Sequence, residues 1–125
     1  MIYLDTHVLI WLYLGDLDLF SEKAKKTLEK EDLLISPIVS LELQYLLEIK
    51  RILVGPEKII KTLSGELGIK ECEQNFKKII SKSIRINWTR DPFDRIIVSQ
   101  ASIKNTKLLT KDKSIISNYK NAFWS

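Results

Sequence analysis

The chain has 125 residues, 45% hydrophobic and 29% charged, with 20 Lys and Arg against 16 Asp and Glu and a formal net charge of +4. That length suits one domain over residues 1–125 whose core needs neither disulfides nor a structural metal, and the composition is that of an ordinary globular protein. A single cysteine, Cys72, excludes an intrachain disulfide, a single histidine, His7, excludes a histidine pair for zinc, and the basic balance favours an anionic partner in a reducing cytoplasm.

The apolar opening from Met1 to Leu14 lacks a basic leader and a small-residue cleavage site, is interrupted by Asp5 and His7, and is too short to span a bilayer. It reads as a strand, Ile2 to Leu4, running into a helix, Thr6 to Leu14. A helix follows over Glu22 to Lys30, a strand over Leu33 to Ile35, a helix over Pro37 to Arg51 and another over Pro56 to Ser64. Beyond a weak strand near Ile69 to Glu71, the pattern predicts helices over Gln74 to Lys82 and Pro92 to Asn105, a strand over Lys107 to Leu109, a helix over Ser114 to Tyr119 and a last strand over Ala122 to Trp124. Proline opens three of these helices, where its missing N–H costs nothing. Strands separated by helices predict an α/β fold: a mainly parallel central sheet covered by helices on both faces. Lys23, Lys25, Lys26, Lys77, Lys78 and Lys82 read, one by one, as solvating helix faces.

Four acids stand where a carboxylate is costly or where a hydrophobic run ends: Asp5 after Ile2-Tyr3-Leu4, Glu42 within Ile38-Val39-Ser40-Leu41-Glu42-Leu43, Asp94 within Asp91-Pro92-Phe93-Asp94-Arg95, and Asp112 after Leu108-Leu109-Thr110-Lys111. Singly, Asp5, Asp91 and Asp112 read as helix N-caps, with Asp94 in a favourable first turn. Glu42 resists that reading, because helical spacing puts it in the middle of the face carrying Ile38, Tyr45, Leu46 and Ile49. One shared explanation for all four is a site for a hard divalent cation at the carboxyl ends of strands. His7 reads as local packing, Cys72 as inert, Trp11, Trp88 and Trp124 as core or interface, and the glycines make no phosphate loop.

Taken together, Asp5-Thr6-His7-Val8-Leu9-Ile10-Trp11, Ser40 with Glu42, Arg90-Asp91-Pro92-Phe93-Asp94-Arg95-Ile96-Ile97 and Leu108-Leu109-Thr110-Lys111-Asp112 resemble the PIN-domain ribonucleases, in particular the VapC toxins of bacterial toxin–antitoxin pairs. The resemblance implies an α/β/α sandwich in which Asp5, Glu42, Asp94 and Asp112 hold Mg2+ or Mn2+ and carry catalysis, with Asp91 as a cap or outer group. It also implies endonucleolytic RNA cutting that leaves a 5′ phosphate and 3′ hydroxyl, on a structured loop or single strand. Thr6, Ser40 and Thr110 would orient carboxylates or water, and Arg90, Arg95 and Lys111 would meet phosphate, Arg95 alternatively neutralising a carboxylate. A VapB-like antitoxin and a homodimer are the expected partners, without a membrane, and Leu47 with Ile52 to Val54 is the expected contact surface. Two departures stand out: family members often carry a histidine where this chain reads Asn87-Trp88-Thr89-Arg90, and Glu48 to Glu73 carries no motif. The alternatives are an RNA-processing PIN nuclease without antitoxin, a phosphoacceptor receiver, whose adjacent acids after the first strand are missing, and a non-catalytic RNA-binding domain.

Overall fold

The computed structural model describes Met1–Ser125. Five strands, β1 (Ile2–Leu4), β2 (Leu33–Ile35), β3 (Lys70–Glu71), β4 (Lys107–Leu109) and β5 (Ala122–Phe123), form one sheet in the order β3-β2-β1-β4-β5. Every pairing is parallel, with Tyr3 opposite Leu34 on one side and Leu108 on the other. The central strand β1 has no exposed side: Ile2, Tyr3 and Leu4 are all buried, which requires cover on both faces of the sheet. That cover comes from α1 (Thr6–Leu14), α2 (Glu22–Lys30), α3 (Ile38–Glu48), α4 (Pro56–Leu67), α5 (Phe76–Ile84), α6 (Pro92–Ile103) and α7 (Lys113–Asn118). The expected mainly parallel sheet is therefore wholly parallel, and no helix is long and apolar enough to cross a membrane.

Several limits move, each for a local reason. The helix expected to reach Arg51 ends at Glu48, and Lys50 turns the chain with φ +61. The helix from Pro56 runs past Ser64 to Leu67 and stops at Gly68, whose φ of +69 suits a residue without Cβ. α5 starts at Phe76 instead of Gln74 because the Asn75 side chain caps it, accepting from the Lys78 amide at 3.0 Å. α6 ends at Ile103, α7 is shifted by one residue, β3 and β5 are each shortened to two residues, and a short 3-10 turn at Leu17–Leu19 was not expected. Trp11 and Trp124 pack edge to face at 5.7 Å beside Phe20, which ties the end of the last strand to α1, and Trp88 also packs against the core, so all three tryptophans join it.

One polar residue organises the interior. Gln100 of α6 is buried, accepts from Ser36 Oγ at 2.6 Å and donates to the Tyr3 hydroxyl at 3.2 Å and to the Cys72 carbonyl. It thereby joins the ends of β2 and β3 to β1. Gln100→Leu keeps the volume but strands three partners, each costing about 1–3 kcal/mol when left unmet. A loss of more than about 2 kcal/mol is expected from the urea midpoint at unchanged m-value, and an unchanged midpoint would show that the network contributes nothing.

A carboxylate cleft at the crossover of the sheet

The chain lays down β1, β2 and β3 toward one edge and then crosses back to place β4 and β5 on the other side of β1. In parallel sheets the crevice beyond the carboxyl ends of the strands flanking such a reversal is the natural ligand site. Here those strands are β1 and β4, and the residues just past them are Asp5 and Thr110. The Asp5 amide donates to the Leu109 carbonyl at 3.1 Å, and Thr110 Oγ1 donates to Asp5 Oδ2 at 2.6 Å, so the two strand ends are stitched together.

A cleft of about 360 Å3 opens at this point, lined by Asp5, Glu42, Asp91, Asp94 and Asp112 together with His7, Val8, Trp11 and Lys111. All four acids singled out in the sequence meet here. α3 delivers Glu42 in its second turn and α6 delivers Asp94 in its first.

Capping and convergence turn out to be compatible. Asp5 caps α1 by accepting from the Thr6 amide at 2.8 Å, Asp91 caps α6 by accepting from the Phe93 and Asp94 amides at 2.8 and 3.2 Å, and Asp112 caps α7 by accepting from the Ile115 amide at 3.0 Å. Each cap uses Oδ1 alone. Asp91 and Asp112 are exposed, and the second oxygen of each has no protein partner. Glu42 has one oxygen engaged, accepting from Thr6 Oγ1 at 2.5 Å. Asp94 caps nothing and accepts no side-chain or backbone bond at either oxygen.

The electrostatics follow from that crowding. No ion pair involves any of these acids; the three in the molecule join Glu31 to Lys107 and to the N-terminal amine, and Lys25 to Glu22. Burial, then the charges of Asp5, Asp91, Glu42 and Asp112, push Asp94 up to about 8. Burial is also the main cause for Glu42, pushed up to about 7, with the Thr6 hydroxyl opposing it and Asp5 and Asp91 reinforcing it. Asp5 is raised by burial as well, against the pull of Thr110, His7 and the Thr6 amide. No three His, Cys, Asp or Glu side chains close into a ready-made metal cage.

The other sequence candidates divide. Thr6, Thr110, Asp91 and Lys111 belong to the site. Ser40, Arg90 and Arg95 do not line the cleft, and Arg95 neutralises no carboxylate: its Nε donates to the Thr89 carbonyl at 2.8 Å, which fixes the approach to α6. His7 and Trp11, read from sequence as packing residues, form one wall. Their spacing from Asp5 on a helix beginning at Thr6 was the available signal.

A family model described as PIN domain matches residues 2–121. The crystal structure of VapBC2 from Rickettsia felis, bound to a DNA fragment from their promoter, is similar in fold with a TM-score of 0.65 and 18% identity, covering 98% of this chain and 96% of that one. A toxin–antitoxin complex from Klebsiella pneumoniae is similar with a TM-score of 0.63 and 19% identity, over 98% of this chain and 96% of that one. No curated protein matches the sequence.

Proposed function

The chain belongs to the PIN domain family, and from that premise we propose that it is a metal-dependent endoribonuclease serving as the toxin of a cytoplasmic toxin–antitoxin pair. The observation that carries the reading is the convergence of Asp5, Glu42, Asp94 and Asp112 in one cleft with no cation paired to any of them. Asp5 and Glu42 are buried, Asp94 is half-buried and Asp112 is exposed at the rim; converging carboxylates without basic partners are unfavourable as pure structure, so a ligand of opposite charge is the economical explanation.

The donor set fits a hard divalent ion such as Mg2+ or Mn2+: it is all oxygen, supplied by carboxylates that line one cleft. Asp5, Glu42, Asp94 and Asp112 would hold it. Bound there, such an ion supplies Lewis acidity toward the phosphodiester and its leaving oxygen.

The chain's own groups do the positioning. Thr110 fixes the rotamer of Asp5, and Thr6 fixes Glu42 while its amide caps onto Asp5, so one residue registers α1 against α3. Lys111, on the rim with its Nζ 5.9 Å from the centre of the Trp11 ring, is the cation nearest in place to meet a phosphate. Arg90 and Arg95 would meet the RNA outside the cleft. The direct test is 5′-end mapping of RNA cut by the purified protein. Cleavage is expected with Mg2+ or Mn2+ and none with excess chelator, whereas full cleavage in EDTA would overturn the mechanism.

Partners are read from surface chemistry. A groove of about 270 Å3 between α1 and the turn into α4 is lined by Ile10, Leu14, Ile52, Leu53 and Val54, with Leu53 92% exposed, and suits an apolar segment of a VapB-like antitoxin. Leu47, expected on the same surface, is half-buried instead, its Cδ2 standing against Gly55. A second exposed apolar row, Leu41, Tyr45 and Ile49 along α3, suits a homodimer. Sedimentation at high concentration should show more than a monomer, and a strict monomer with no small copurifying partner would remove both assignments.

A further inference from the structure

Between Asn75 and Arg90 the chain carries five basic residues, Lys77, Lys78, Lys82, Arg85 and Arg90, and no acid. Five of the 20 basic residues and none of the 16 acids fall in that stretch, so the rest of the molecule has one net negative charge. The segment is one of two strongly basic ones, the other running from Lys104 to the end with Lys104, Lys107, Lys111, Lys113 and Lys120 against Asp112 alone; it differs in holding no acid at all.

α5 gives that charge a shape. Lys78, Ser81, Lys82 and Arg85 recur at intervals of three and four residues and share one helix face. They line an open groove of about 690 Å3 whose walls include Asn75, Lys77 and Ile103 and no carboxylate. None of these cations forms an ion pair. The lysines of α2 make the contrast: Glu31 shares their groove, Lys25 is paired to Glu22, and Lys23 lies 4.5 Å over the Phe123 ring. The two grooves differ in what surrounds the lysines.

The α5 face also has a fixed relation to the carboxylate cleft. Ser83, on the opposite side of α5, is buried, with its Oγ 3.0 Å from Ser99 Oγ of α6 and 3.3 Å from the Arg95 carbonyl. Those atoms belong to the helix whose first turn carries Asp94, and the short link from Arg85 to Asp91 passes through Arg90. The groove thus runs from Ile103, at the C-terminal end of α6, to Arg85, at the end of α5 that packs beside the first turns of α6.

We propose that the Lys78, Lys82 and Arg85 face of α5 is a docking track for the sugar-phosphate backbone of single-stranded RNA, holding the strand outside the cleft while one phosphodiester reaches it. This rests on the nuclease reading above and adds the surface that gives that site a polymer substrate. Point charges on flexible stems contact phosphates without reading sequence, so the track supplies affinity and leaves base choice to the cleft.

The test compares two variants of equal charge change: Lys78→Gln with Lys82→Gln and Arg85→Gln, and Lys23→Gln with Lys26→Gln and Lys30→Gln on α2. Binding of fluorescein-labelled oligouridine is followed by anisotropy in EDTA at several KCl concentrations, where no cutting interferes. The α5 variant should lose affinity by about tenfold or more at low salt, and its salt slope should shrink by about two, near 0.7 for each lost phosphate contact. The α2 variant should stay close to wild type. Equal losses in both, or no loss in the α5 variant, overturn the track, as does wild-type protein that binds no oligouridine. A charge-preserving variant, Lys78→Arg with Lys82→Arg and Arg85→Lys, should bind normally, which separates charge from misfolding. Cleavage distinguishes the two readings. If the α5 variant cuts long RNA with unchanged KM, the track is wrong and the nuclease stands; if RNA binds through α5 but is never cut, the nuclease reading falls and the track stands.

Discussion

Asp94→Asn is expected to lower RNA cleavage by at least about a hundredfold to a thousandfold, the scale on which one preorganised electrostatic group counts in a hydrolytic site, and yet to leave the metal-free protein as stable as wild type or more so. The second half follows from the geometry. Asp94 caps no amide and pairs with no cation, so its removal breaks nothing, while four neighbouring carboxylates and burial disfavour its charge. Allowing for solvent at the mouth of the cleft, relief of that charge is worth on the order of 1 kcal/mol, or a rise in Tm of roughly 3–6 °C. Asp94→Ala should behave alike, which excludes an explanation through capping by Asn. Asp91→Ala is the contrast, because Asp91 does cap α6, and its loss should cost about 0.5–2 kcal/mol. Added Mg2+ should raise the wild-type Tm more than that of Asp94→Asn, since an ion that binds only the folded chain stabilises it by mass action. If both Asp94 variants melt lower, still cut RNA and respond to Mg2+ as wild type does, Asp94 is a structural residue and the proposed ligand set loses its third member.

Why four acids could be picked out of a bare sequence, and their neighbours could not, has a physical basis. The strand Ile2-Tyr3-Leu4 is buried on both faces and so reads as an unbroken apolar run, and a carboxylate directly after it marks the strand end. Glu42 was legible as a charge within an apolar helix, but the face it shares is that of Val39 and Leu43: Tyr45 and Ile49, expected to flank it on a packed face, are exposed. Capping, by contrast, seemed an alternative to convergence only because both were read from the same positions. The structure shows each cap occupying one oxygen of a carboxylate that has two. The Gln100 network was not legible, since Tyr3 comes to it from the middle of β1 and Ser36 and Cys72 from just beyond β2 and β3. The alternative that Arg95 neutralises a carboxylate fails for a related reason: nearness in sequence to Asp94 says nothing about which side of the helix entrance a long side chain takes, and Arg95 takes the side of Thr89. The lysines of α2 alternate with Glu22 and Glu29 while those of α5 have no acid beside them, and the fold adds Glu31 to the α2 groove and no carboxylate to the α5 groove.

The same cleft should make stability fall as pH rises through neutrality. In the folded chain Glu42 titrates at about 7 and Asp94 at about 8, against ordinary values of 4.5 and 3.8. Between those limits the folded state retains protons that the unfolded state has released, so the slope of unfolding free energy against pH is negative there. Stability contributed by the protonated carboxyls is fully present below about pH 4, declines as pH rises, and is gone above about pH 8. Glu31 works in the opposite sense. Hydrogen bonds from Lys107 and the N-terminal amine hold it down to about 2, so its contribution is present above its ordinary value of 4.5 and is lost as pH falls toward 2. Without divalent ions, Tm should therefore peak between about pH 4 and 5 and drop on both sides, by the equivalent of about 1–3 kcal/mol on the alkaline side after solvent screening. Glu42→Gln combined with Asp94→Asn should flatten the alkaline limb and leave the acid limb in place. Saturating Mg2+ should flatten or invert the same limb in wild type only, because ion binding requires the deprotonated carboxylates. A Tm that climbs from about pH 5 to about pH 8 in the metal-free wild type would show that these carboxyls are charged and satisfied in the fold, and would remove the electrostatic argument for an ion in the cleft.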